Sequence, residues 1–141
     1  MIMEYPQIFS EITSELNMIP DQKDRLEYIM DYGKDMVELE PDRRTPENLV
    51  PGCISKVYID CELEENKLSF KGYANSLIVK GYVRILCEAF SGITKEEFFG
   101  EGKEHLERFI KESKIIQNLL PSRANTFGNI FVMMQKKASS K

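Results

Sequence analysis

SKVYIDCELEENKLSFKGY, residues Ser55 to Tyr73, alternates twice between apolar and polar side chains. From Ser55 to Cys61, Val57, Ile59 and Cys61 fall on one side, and Lys56, Tyr58 and Asp60 on the other. From Lys67 to Tyr73, Leu68 and Phe70 repeat the pattern. Successive side chains of a strand point to opposite faces, so a period of two marks a half-buried strand. Glu62 to Asn66, between the two runs, is polar enough to turn. Strands this close in sequence pair as an antiparallel hairpin. A lone hairpin is marginal in water, so this one needs a third strand or a helical cover.

The flanking sequence supplies the cover. Ile8, Phe9, Ile12 and Leu16 recur at helical spacing. Pro20-Asp21 breaks the chain, and Asp21 can cap a second helix with Leu26, Ile29 and Met30 inward. Met36, Val37 and Leu39 add apolar surface before Pro41. After the hairpin, Asn75 or Ser76 can cap a helix running to about Phe90, with Ile78, Tyr82, Ile85, Leu86 and Ala89 on one face. Gly81 inside it costs about 1 kcal/mol relative to Ala, a cost that close packing would explain. Thr94 and Glu97 fit a capping box for a short helix, and Lys103 to Lys111 reads as a separate charged one. Pro121-Ser122 opens the last helix, with Phe127, Ile130, Phe131 and Met134 buried. The pattern predicts an α+β fold, with α-helices packed on one face of a small antiparallel β-sheet.

A chain of 141 residues is the usual size of one domain, and no linker or repeat divides residues 1–141. The formal net charge is −4 and the basic residues form no stripe, which argues against nucleic acid or an anionic membrane as main partner. No apolar run approaches the length that spans a bilayer, and the start MIMEYP lacks the layout of a signal peptide. A cytoplasmic, reducing setting is the expectation. Cys53, Cys61 and Cys87 are odd in number and far apart, a poor basis for a disulfide framework.

Ahead of the hairpin runs RTPENLVPGCISKVY, Arg44 to Tyr58. Pro46 and Pro51, with Pro41 leading in, remove backbone donors and fix φ, so this loop is ordered without being helical. Gly52 permits a turn closed to other residues. Cys53 therefore sits at the end of a stiff arm where a strand begins. Two readings are open: a presented nucleophile, or a cysteine buried at a strand start. A nucleophilic thiolate needs cations or amide donors nearby. Arg44, Lys56 and Arg123 are candidate cations, and backbone N–H groups around Pro51-Gly52-Cys53 are candidate donors.

This loop resembles the cysteine loop of the SufE family of sulfur acceptors. Arg44, Pro46, Glu47, Asn48, Val50, Gly52, Cys53, Ser55 and Val57 carry the likeness. Two further blocks follow in order: Ile78-Val79-Lys80-Gly81 is similar to the family's "IVKG" segment, and Pro121-Ser122-Arg123 to its "TPSR" segment. The likeness spans about Pro20 to Lys137. Three positions depart from the family pattern: Tyr58 stands where Trp is usual, Asn75 where Asp is common, and Leu120 where Thr is common.

The resemblance implies a SufE-like domain over residues 1–141, of the α+β type also seen in U-type scaffolds. It implies that Cys53 takes persulfide sulfur from a cysteine desulfurase (SufS-like, pyridoxal-phosphate dependent). The sulfur then passes to an iron–sulfur cluster assembly scaffold (SufBCD-like). Arg44, Asn48, Gly52, Ser55 and Arg123 would support the loop. No cofactor or metal is expected on the acceptor itself, which activates the desulfurase and is not the enzyme. A U-type iron–sulfur or zinc scaffold is the alternative, and it needs several convergent ligands. A thiol peroxidase or hydrolase needs a base or a resolving cysteine. The lone His105, in a charged helical stretch, reads as a solvated surface residue, and Cys61 and Cys87 read as packing residues.

Overall fold

The hairpin forms. In the computed structural model, β1 (Val57–Glu64) pairs antiparallel with β2 (Lys67–Ala74), in the register Val57 opposite Ala74 through Glu64 opposite Lys67. The structure describes residues 2–117, 119 and 121–141, with backbone alone for 121–123. The turn is shorter than the polarity of Glu62 to Asn66 predicts. It is only Glu65-Asn66, both at positive φ (51° and 67°), the handedness that matches the twist of a two-residue hairpin. Glu62 and Glu64 read as turn because the hairpin tip is solvated, yet the period of two continues through Leu63, opposite Leu68.

Val57, Ile59, Cys61, Leu68, Phe70 and Ala74 are buried. Helix α3 (Leu77–Phe90) packs on β2, and α5 (Pro121–Ser139) packs on β1. Gly72 marks the close approach of α3: a Cβ there would lie 2.4 Å from Cγ1 of Val83. Flanking segments meet both hairpin edges, which shortens the free edge available for pairing. Leu39 N–H donates to the Gly72 carbonyl (2.9 Å), Gly92 N–H to that of Leu68 (2.7 Å), and Val50 N–H to that of Val57 (2.8 Å). The other hairpin face is polar. Arg43 forms ion pairs with Asp60 and Glu62, and Arg44 lies over the Tyr73 ring at 3.8 Å.

Helix α1 (Gln7–Asn17) and α2 (Gln22–Lys34) form as the periodicity predicts, with Asp21 capping α2 through the N–H groups of Lys23 and Asp24. Ser76 is the N-cap of α3 but makes no side-chain cap bond, and Asn75 serves elsewhere. The expected pair of helices after Thr94 is a single one, α4 (Lys95–Ser113), opened by the Thr94–Glu97 capping box. Gly100 and Gly102 suggest a break. The burial of Phe98, Leu106 and Phe109 along one face outweighs two glycines at about 1 kcal/mol each. Aromatic rings tie the helices together: Phe9 of α1 stacks on Phe109 of α4 at 4.2 Å, and Phe90 of α3 meets Phe9, Phe98 and Phe131.

His105 departs from its expected solvated role. It is half-buried, its Nε2 is 2.9 Å from the Met3 carbonyl oxygen, and its ring meets Tyr5 edge-on. Cys61 and Cys87 are buried and free. Cys61→Ser is expected to cost about 1–3 kcal/mol, because it places a hydroxyl on an apolar strand face. A urea titration reads the loss as a lowered midpoint with unchanged slope.

Candidate functional site

The loop between Arg44 and Lys56 is held at both ends. Asn48 is buried, and its Nδ2 donates to the Arg43 carbonyl at 2.8 Å. Leu49 bridges to Tyr58, and Val50 is buried with its N–H on Val57. At the far end Asn75 makes two bonds to Lys56: its Oδ1 accepts from the Lys56 N–H (3.0 Å), and its own N–H donates to the Lys56 carbonyl (3.1 Å). The family departure at Asn75 thus lands on a loop anchor that requires an acceptor and no charge. Tyr58, the other described departure, is half-buried, with its ring 6.3 Å from that of Tyr73.

Between these posts the chain turns at Pro51-Gly52, with Gly52 at φ +80°, a left-handed conformation that a side chain would strain. The Gly52 carbonyl accepts from Nδ2 of Asn129 on α5 at 3.3 Å. Cys53 is half-buried and packs against the core. Burial pushes its thiol above the ordinary cysteine value, while hydrogen bonding by Asn129 and Thr126 pulls the other way. A thiol held up by burial is protonated at neutral pH, and its nucleophilic form is scarce.

The sequence candidates divide. Gly52, Asn48 and Cys53 come together in one loop. Arg44 points elsewhere: its guanidinium covers Tyr73, and its Nε donates to the Leu39 carbonyl at 2.9 Å. It holds the loop base to the hairpin. Ser55 lies half-buried in the bend before β1. The side chain of Arg123, with Pro121, Ser122 and Leu120 of the third block, lies outside the described residues. The groups the described residues bring to the thiol are neutral, Asn129 and Thr126. Sequence reasoning misses both. The available signal is Thr126, a polar residue beside Phe127 on an apolar helix face, with Asn129 one turn on.

Apolar side chains are exposed on the loop and on α5. Ile54 is 84% exposed, and Val132 of α5 also faces solvent. A groove of about 120 Å³ runs beside the loop between Pro51, Asn129, Val132, Met133 and Lys136. Among the described residues, no group of three or more His, Cys, Asp and Glu side chains is placed to hold a metal ion. No described helix is long and apolar enough to cross a membrane.

The chain is 35% identical over 133 residues to an uncharacterized SufE-like protein of Synechocystis, covering 94% of this chain and 81% of that one. It is 30% identical to SufE-like protein 1, chloroplastic/mitochondrial, of Arabidopsis thaliana, covering 97% of this chain but only 36% of that longer protein. Its fold matches the solution structure of a hypothetical protein from Thermus thermophilus, with TM-score 0.70 at 14% identity over 99% of this chain and 97% of that one. Residues 10–138 match the family model described as SufE, Fe-S metabolism associated domain, and the chain therefore belongs to the SufE family.

Proposed function

We propose that Cys53 is a sulfur acceptor that links a cysteine desulfurase to iron–sulfur cluster assembly. The observation that carries this reading is one half-buried thiol beside a glycine turn, on a loop anchored at both ends, in a chain of the SufE family. The Cys53 thiolate attacks the outer sulfur of a persulfide held on the desulfurase. The sulfur–sulfur bond there breaks, and the desulfurase cysteine leaves as thiolate. A new sulfur–sulfur bond forms on Cys53, with no net oxidation or reduction. A second exchange of the same kind passes the sulfur to a scaffold complex of the SufBCD type.

Pyridoxal phosphate stays on the SufS-like desulfurase, and this chain acts as its acceptor and activator. The setting is a reducing cytoplasm, and a single domain over residues 1–141 carries the activity. Exposed Ile54 and Val132 favour a protein partner that covers the loop as it docks. A U-type scaffold would need convergent metal ligands, and the described residues bring none together.

The test is an anaerobic mixture of this protein, a purified desulfurase and cysteine, followed by intact mass without reductant. The expected result is a gain of one or more sulfur atoms, mapped to the Cys53 peptide and lost on adding reductant. No gain while the desulfurase itself carries persulfide would overturn the reading.

A further inference from the structure

Among the described residues, the middle of the cysteine loop meets α5 through a small polar contact. Val50 is fixed by burial and by its bond to Val57, and Lys56 by its two bonds to Asn75. Between them Pro51, Gly52 and Ile54 are exposed. Asn129 holds this span. Its Nδ2 donates to the Gly52 carbonyl, and a Cβ on Gly52 would lie 3.1 Å from that same nitrogen. The amide therefore lies close against a turn that only glycine leaves open. Asn129 also hydrogen-bonds with the Cys53 thiol, as does Thr126, three residues earlier on the same helix face.

We propose that Asn129 is a positioning residue for Cys53, a latch that keeps the thiol tucked against α5 until a partner draws the loop out. The chemistry of the side chain suits the task. A primary amide has two N–H donors and an acceptor, so one residue can tie both a backbone carbonyl and a sulfur. Aspartate has the same shape but, when ionised, no donor, and its charge repels both the carbonyl and a thiolate. Thr126 also reaches the sulfur, while the turn carbonyl takes its bond from Asn129. A latch of one neutral hydrogen bond suits a carrier: it closes the loop at rest and yields to a docked partner that favours the open form. The purpose assigned to the latch rests on the sulfur-acceptor reading, but the latch itself is tested without a desulfurase.

Asn129→Ala, Asn129→Asp and Thr126→Val are compared with the native chain. The readouts are iodoacetamide labelling of Cys53 by peptide mass spectrometry, hydrogen exchange of the loop amides, and thermal melting. Asn129→Ala and Asn129→Asp are both expected to label about two- to ten-fold faster, the range given by losing one hydrogen bond from the closing equilibrium. Exchange should quicken at the amides of Gly52 to Ser55 and not in β1 or α3. Losing the amide, or adding a carboxylate, would by itself disfavour the thiolate and slow labelling, so acceleration reports opening. Thr126→Val is expected to leave loop exchange unchanged and to label no faster than the native chain.

Native labelling and exchange in Asn129→Asp would show that shape alone matters and would overturn the latch, as would native rates in Asn129→Ala. If Asn129→Ala does not melt cooperatively, the isosteric Asn129→Asp carries the test. Faster labelling in both variants, together with no sulfur uptake by the native chain from a competent desulfurase, would keep the latch and reject the acceptor reading.

Discussion

Cys53→Ser is expected to remove sulfur acceptance to below detection while the protein stays folded. A serine hydroxyl is far less acidic than a thiol and forms no stable bond to a transferred sulfur atom, so the exchange has no first step. Structurally the change is small. Cys53 is only half-buried, and Asn129 and Thr126 can hydrogen-bond to a hydroxyl as to a thiol. Its stability cost should stay within about 1 kcal/mol. The remaining cysteines are poor substitutes. Cys61 is 1% exposed on the apolar face of β1. Cys87 is enclosed in α3, and burial pushes its thiol up to about 12, so almost no thiolate exists near pH 7. Intact mass after anaerobic incubation with a desulfurase and cysteine, beside a melting curve, measures both halves of the expectation. Sulfur uptake by Cys53→Ser at the native rate would remove Cys53 from its proposed role.

The contrast between Cys53 and its supports shows which features a sequence discloses. Alternation from Val57 to Cys61 and from Lys67 to Tyr73 is local, and the hairpin follows from it. The turn is misplaced by composition because charge and turn propensity coincide at Glu62 and Glu64, where solvation of a strand tip gives the same composition as a loop. Local reading also divides α4 into a short helix and a charged one, but the burial of Phe98 that belongs to one continuous helix is decided by rings from α3 and α5.

The loop itself is legible through Pro51 and Gly52, whose backbone chemistry needs no partner to be understood. Its closing contact is not. Asn129 lies 77 residues from Gly52, and nothing in the periodicity of α5 marks it as a partner for a carbonyl. Proximity in sequence points Arg44 at the thiol, yet the Tyr73 ring across the hairpin holds it. Leu49, Val50 and Ile54 are equally apolar candidates for pinning the loop, and only Val50 is buried to do so. Exposed Ile54 instead widens the apolar surface beside the thiol.

Gly81→Ala is expected to produce the largest loss of stability among small substitutions. Gly81 lies in the "IVKG" block, where the sequence raises the question of why a helix would tolerate a glycine. The answer is its crossing with α2. A Cβ on Gly81 would fall 2.3 Å from the Ile29 carbonyl oxygen and 2.5 Å from Ile29 Cγ2. The contact is reciprocal, since a Cβ on Gly33 of α2 would meet the Gly81 nitrogen at 2.5 Å. The nearest atoms are backbone, so no rotamer change relieves the clash, and the helices must separate. Separation by even about 1 Å forfeits much of the dispersion contact along the crossing.

Overpacking of this kind costs about 1–3 kcal/mol and sometimes more, and the better helix propensity of Ala returns about 1 kcal/mol. With backbone on both sides the clash belongs at the top of that range. A net loss of about 2–3 kcal/mol should lower Tm by roughly 5–15 °C. Gly100→Ala is the control: a Cβ there meets nothing within 4 Å, and it should stabilise α4 by about 0.5–1 kcal/mol. Paired melting curves decide the matter. A Gly81→Ala protein that melts with the native chain would mean that α2 and α3 can part freely, and that the close crossing is not what the glycine serves.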